Sequence, residues 1–125
     1  RLAEEIDKQA CKINKIQEIL IEVKTSSEPT KFGIEPDKVI GFLKEIINFK
    51  NLKIKGLMTI APYFVDPEKT RPFFRILRQL KEMVEQQKEL SLKLEILSMG
   101  MSNDFEIAIQ EGSNMLRIGR AIFEG

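Results

Sequence analysis

The residues best suited to chemistry lie in two short runs near the end of the chain. Ser98–Met99–Gly100–Met101–Ser102 joins a glycine, which lets the backbone turn tightly, to a serine that can open a helix. Backbone N–H groups at such a turn, with a hydroxyl beside them, form a pocket for an anion. Arg117–Ile118–Gly119–Arg120 places two permanent cations around a glycine that permits close backbone approach. Holding an anion such as phosphate is the chemistry these types can do. Turn glycines and an ordinary helix cap share the same spacing, so both readings stand at this point. Lys24 is the other reactive candidate. An amine at a strand end can condense with an aldehyde, and a solvated loop lysine has the same appearance in sequence. Glu22, two residues earlier, is suited to pairing with a lysine.

Composition removes several alternatives. The chain has no histidine, which excludes a Ser-His-Asp site, a Cys-His pair and an imidazole metal ligand. Its single cysteine, Cys11, can form neither an internal disulfide nor a thiolate zinc site. Beside Ala10 on an amphipathic helix, Cys11 reads as a buried or half-buried small hydrophobe. Twenty basic and nineteen acidic residues leave a net charge of +1, so no bulk field draws the chain to nucleic acid or to membranes. No apolar run spans a bilayer and no signal peptide is visible, which points to a cytoplasmic location. Arg1 stands where a methionine would start a chain and opens straight into a helical pattern, a hint of missing upstream sequence.

The elements that must position these residues follow from periodicity. Leu2, Ile6, Ala10 and Ile13 recur at helical spacing, giving a helix over roughly residues 1–15. Strands are expected at Gln17 to Lys24, Leu52 to Ile60, Leu94 to Met99 and Met115 to Ile118. Between them lie a helix started by Glu35–Pro36–Asp37, a helix with the stripe Phe73, Ile76, Leu77, Leu80, Met83 and Val84, and a short helix on Phe105 to Ile109. Ser102, Asn103 and Asp104 offer caps for the last. Each of the first three strands is followed by a helix, so the sheet should be parallel. A small doubly wound sheet and part of a (β/α) barrel both fit, and both gather ligands at the carboxyl ends of strands.

At that level of detail the sequence resembles the pyridoxal 5′-phosphate homeostasis protein family, which has an alanine-racemase-like barrel. The resemblance rests on Ser98 to Ser102 with Asp104, on Glu111–Gly112–Ser113, and on Arg117–Ile118–Gly119 with Ala121–Ile122–Phe123. Upstream, Gly56 to Ile60 is similar to the family's sixth strand. Ile21–Glu22–Val23, Thr25–Ser26, Glu28, Lys31 and Gly33 are similar to its fifth strand and the loop after it. The match implies an α/β fold that is the C-terminal half of a (β/α)8 TIM barrel: a helix, then parallel strands five to eight with intervening helices, residues 1–125 forming one segment. A complete barrel needs about 250 residues.

The resemblance further implies a protein without established turnover that binds pyridoxal 5′-phosphate and buffers it or delivers it to apoenzymes. Met101, Ser102, Gly119 and Arg120 would cradle the phosphate, and Arg117 would bond the cofactor at its pyridine nitrogen. The Schiff-base lysine is expected in the absent N-terminal half. This chain departs from the family at Lys24, usually asparagine, at Ser27, usually glycine, and at Arg120, often threonine or serine. A racemase or decarboxylase barrel fragment is the alternative reading, and a self-associating fragment without ligand a third. Either the N-terminal half or a second copy would cover the exposed sheet edges.

Overall fold

A computed structural model of the chain describes residues 2–27 and 33–117. Strands β1 (Gln17–Glu22), β2 (Leu52–Met58), β3 (Ile96–Met101) and β4 (Met115–Arg117) form one sheet in the order β1-β2-β3-β4. Every pairing is parallel. A doubly wound sheet reverses direction at a switch point, and no such point occurs among the described strands. When each strand adds on the same side, crossovers of one hand put the helices on one face.

The core shows that face. Val39, Leu43 and Ile46 of α2 (Val39–Ile46), Phe74, Leu77, Leu80 and Val84 of α3 (Arg71–Glu85), and Ala108 of α4 (Phe105–Gln110) pack with Ile21, Leu57, Leu97 and Met99 of the strands. Ile21, Leu57 and Leu97 are register partners. Register partners share a face, and neighbours along a strand alternate. The rows on either side of that one, Leu20–Gly56–Ile96 and Glu22–Met58–Ser98–Met115, therefore belong to the opposite face.

Local chemistry explains the element ends. A 3-10 turn at Pro36–Lys38 feeds α2, and another at Pro67–Thr70 feeds α3, where Asp66 accepts a hydrogen bond from the Glu68 amide. The first strand stops two residues before the expected Lys24. Val23 instead forms a bridge with Ile34, and the Lys24 amide donates to the Ile34 carbonyl. The second strand ends at Met58 rather than Ile60, and the third runs from Ile96 to Met101, two residues later than expected. The fourth is described as far as Arg117; Ile118 lies outside the described residues.

Two side-chain expectations need correction. Cys11 is exposed. On α1 (Leu2–Lys12) the inward positions are Ala3 and Ala10, two turns apart, and Cys11 lies about 100° around the helix from Ala10. On α3 the buried line is Phe74, Leu77, Leu80 and Val84, whereas Met83 is half exposed at 52%. Phe73 sits on the flank, its ring stacked on Phe64 with centroids 5.9 Å apart.

One irregularity in β2 has a packing consequence. The β1–β2 register passes over Lys55, whose ammonium pairs with Glu95 at 2.7 Å. Beyond this bulge Gly56 is pressed against β3: a Cβ there would lie 1.8 Å from the Ile96 carbonyl oxygen. Backbone cannot move aside as a flexible side chain can, so Gly56→Ala should destabilise the chain by about 3 kcal/mol. A urea unfolding midpoint unchanged by that substitution would contradict the close approach.

Candidate functional site

The carboxyl ends of the four strands lie along one edge of the sheet. At the β1 and β2 ends, two buried hydroxyls form a closed pair. Thr59 Oγ1 donates to the Val23 carbonyl at 2.7 Å, so Thr25 Oγ1 donates its own hydrogen to Thr59 Oγ1 at 2.9 Å. Lys24, between Val23 and Thr25, pairs with Glu35 at 3.5 Å. It is tied to the loop beside it and away from Glu22, the partner its spacing suggests.

At the β3 and β4 ends the structure joins the two sequence runs. Met101 and Arg117 are register partners, and both are exposed. Among the described residues Arg117 pairs with no carboxylate, which leaves a permanent cation at the strand end. Gly100 has φ +105°, and a Cβ on it would lie 2.6 Å from Ala108 Cβ, so only glycine fits this turn. Ser102 is half-buried in the turn that follows. Asp104, buried at 6% exposure, does not cap α4 with its side chain as the sequence suggests. Its Oδ1 accepts the Met101 amide at 2.7 Å, and its own amide donates to the Met101 carbonyl at 3.2 Å. The turn is thus closed on itself, and the Met101 N–H is already engaged. Gly119 and Arg120 lie outside the described residues.

Residues 111–114 hold these parts together. Ser113 Oγ donates to the Met99 carbonyl at 2.6 Å. Asn114 accepts the Leu97 amide at 2.8 Å and donates to the Glu95 carbonyl at 2.6 Å, imitating a strand neighbour. Glu111 is buried at 3% exposure and receives three arginines from α3: Arg71 at 2.6 Å, Arg78 at 2.9 Å and Arg75 at 3.3 Å. Arg71 also donates to Gln110 at 2.6 Å. Burial pushes the Glu111 carboxyl up, but the Arg71 hydrogen bond and the Arg75 and Arg78 charges outweigh it and hold the group below the ordinary carboxylate range. Sequence reasoning noted Glu111 only as part of a motif. Its signal was an arginine repeat at positions 71, 75 and 78, one face of one helix.

A hollow of about 130 Å³ lies beside the turn, lined by Pro67 and residues 102–107. That is a few water volumes, room for an anion-sized group. A larger hollow of about 320 Å³ lies by α1 and β1, lined mainly by apolar side chains such as Ile6, Ile19, Ile34 and Phe42. It is at the far edge of the sheet from Arg117. Among the described residues no cluster of three or more Cys, Asp or Glu could hold a metal ion, and no helix is long and apolar enough to cross a membrane.

Comparison with known proteins adds to this geometry. The family model described as "Alanine racemase, N-terminal domain" matches residues 1–125. A pyridoxal phosphate homeostasis protein of Aquifex aeolicus is 48% identical over 122 residues, covering 98% of this chain and 53% of that protein. Another from Schizosaccharomyces pombe is 38% identical, covering 94% and 52%. The chain spans about half the length of these relatives. The structure of PipY from Synechococcus elongatus with PLP bound superposes with TM-score 0.86 at 30% identity, covering 98% of this chain and 56% of that one. Alanine racemase of Clostridium difficile, at 16% identity and TM-score 0.78, shares the fold.

Two measurements check the site's supports. Thr59→Val strands the Thr25 hydroxyl and the Val23 carbonyl and should cost about 1–3 kcal/mol, whereas Thr25→Val leaves the Thr59–Val23 bond and should cost less. Paired urea titrations giving the reverse order would contradict the donor assignment. The Glu111 pKa is lower in the folded chain than in the unfolded one. Its stabilisation is therefore complete above the ordinary value of 4.5 and fades as pH falls through the lower folded value. Unfolding midpoints should be flat from pH 7 to about 5 and fall below that, with a shallower acid limb in Glu111→Gln.

Proposed function

From the premise that the chain belongs to the alanine racemase, N-terminal domain family, alongside the pyridoxal phosphate homeostasis proteins, we propose that it is the C-terminal half-barrel, residues 1–125, of a pyridoxal 5′-phosphate-binding homeostasis protein. Four parallel strands without a switch point, helices against one face and a match to about half of each relative support the half-barrel reading. Strands β1 to β4 are then barrel strands five to eight. The Aquifex and Schizosaccharomyces relatives, at 48% and 38% identity, are named for homeostasis of the cofactor and not for a reaction, which favours a carrier over an enzyme. The cell compartment that suits a carrier of a soluble cofactor is the cytoplasm, and its partners are the cofactor, the rest of the barrel and apoenzymes that receive the cofactor.

The observation that carries the proposal is the register pairing of Met101 with Arg117 at the carboxyl ends of β3 and β4. It sets a tight, glycine-dependent turn beside a guanidinium that no carboxylate among the described residues neutralises. The described donors suit a phosphorylated pyridine, with Ser102 and the turn for the phosphate and Arg117 for the ring nitrogen; the family resemblance adds Gly119 and Arg120 to the phosphate cradle, and both lie outside the described residues. Met101 shapes the turn through its backbone, because its N–H already serves Asp104. When bound, the cofactor supplies an aldehyde for a lysine and an electron-withdrawing ring. Arg117 can only donate, so facing the ring nitrogen it would hold that nitrogen unprotonated and weaken the withdrawal. Such a group suits storage better than vigorous turnover.

In the full-length protein, Ser102→Ala and Arg117→Ala should each weaken cofactor binding about tenfold or more, since bonds to charged groups contribute about 1.5–3 kcal/mol. Borohydride reduction of the loaded protein and peptide mapping should place the covalent lysine outside residues 1–125. A stable adduct on Lys24 would overturn that assignment.

A further inference from the structure

The phosphate-side turn is carried by a helix too short to hold itself in place. Helix α4 has six residues, and an isolated helix of that length is unstable in water. Its N-terminal end is fixed to β3 through Asp104 and the Met101 amide. Its C-terminal end is fixed by Glu111, whose carboxylate lies among Arg71, Arg75 and Arg78 of α3. Arg71 grips that end twice, through Glu111 and through the Gln110 side chain, and is itself paired with Glu68. Apolar packing holds α4 against the core through Ala108, its one buried residue, and the partly buried Ile107, while Ile109 is half exposed at 53%. Apolar contact tolerates several alignments, whereas the directional Glu111–arginine pairs select one, so they fix where α4 sits along α3 and, through Asp104, where the 101–104 turn sits relative to Arg117.

We infer that Glu111, with Arg71, is a positioning residue for phosphate recognition: it holds α4 so that the turn carrying Ser102 meets the phosphate of the bound cofactor, and it acts on the phosphate alone, not on the pyridine ring. This inference rests on the phosphate-site reading above. Glu111 touches no ligand; it works through α4. Of its three partners, Arg71 is the most enclosed at 21% exposure, against 38% for Arg78 and 55% for Arg75, so its side chain has the largest share in the clamp.

The experiment uses the full-length protein and two probes, pyridoxal 5′-phosphate and pyridoxal, which differ by the phosphate. Glu111→Gln removes the charge and keeps the shape. It should raise the Kd for pyridoxal 5′-phosphate about tenfold, the scale of loss usual when a supporting partner is removed, and change the Kd for pyridoxal less than about twofold. Arg71→Ala, Arg78→Ala and Arg75→Ala should weaken phosphate-ester binding in that descending order, which keeps the test available if Glu111→Gln folds poorly. Equal losses for both probes would reduce the clamp to a general structural role. An unchanged Kd for the phosphate ester in well-folded Glu111→Gln and Arg71→Ala would overturn the inference. Ser102→Ala separates the two levels. If it abolishes the preference for the phosphate ester while Glu111→Gln does not, only the positioning role fails. If wild-type protein shows no such preference, the phosphate-site reading itself fails.

Discussion

The candidate site depends on how β4 is attached to β3. Over the described part of β4, two register pairs flank an irregularity between Ser98 and Met101. Side chains extend the attachment. Asn114 presents an amide to the backbone of residues 95 and 97 as another strand would, and Ser113 anchors to the Met99 carbonyl. These bonds set the height of β4 against β3, and that height brings Arg117 level with Met101. A slip of one residue would move the guanidinium to the helix-covered face, where a charge has no partner and no water.

Glycine, hydroxyl and charge divide the work along the carboxyl edge. Gly100 allows the turn, the Thr25–Thr59 pair satisfies the carbonyl of Val23 where the first ladder ends, and Glu111 fixes the short helix behind the turn. The apolar core is shared by all four helices and the strands and serves the whole fold. The groups around the turn serve position. This explains a buried carboxylate so near the surface of a small helix: a further aliphatic contact would bury area equally well on many alignments, whereas three arginines converge on one point.

The sequence made the element order, the parallel sheet and the chemistry-bearing ends legible, because each depends on local pattern. Gly100 and Ser102 announced a turn, and Arg117 a strand-end cation. What stayed hidden depends on residues far apart. Glu111 finds Arg71 across 40 positions, and no local window contains both. Gly56 is required by the Ile96 carbonyl of another strand, brought close by the Lys55 bulge. The burial of α3 shifted from Phe73 to Phe74 because two adjacent phenylalanines leave the centre of the stripe undetermined until the sheet is in place. Cys11 shows the same ambiguity beside Ala10. The family resemblance supplied roles for Gly119 and Arg120 that spacing could not distinguish from turn residues, and those two lie outside the described structure.

The outward position of Cys11 gives this chain a convenient property. One thiol, on the solvent side of α1 and on a helix that packs by β1 and β2, is a unique point for attaching a dye or spin label. Distances measured from that point would report on the sheet edge next to β1 without disturbing the turn beside β4. The same exposure lets two molecules couple through oxygen-driven sulfur–sulfur cross-linking, so preparations kept without reductant would accumulate covalent pairs unrelated to any biological assembly.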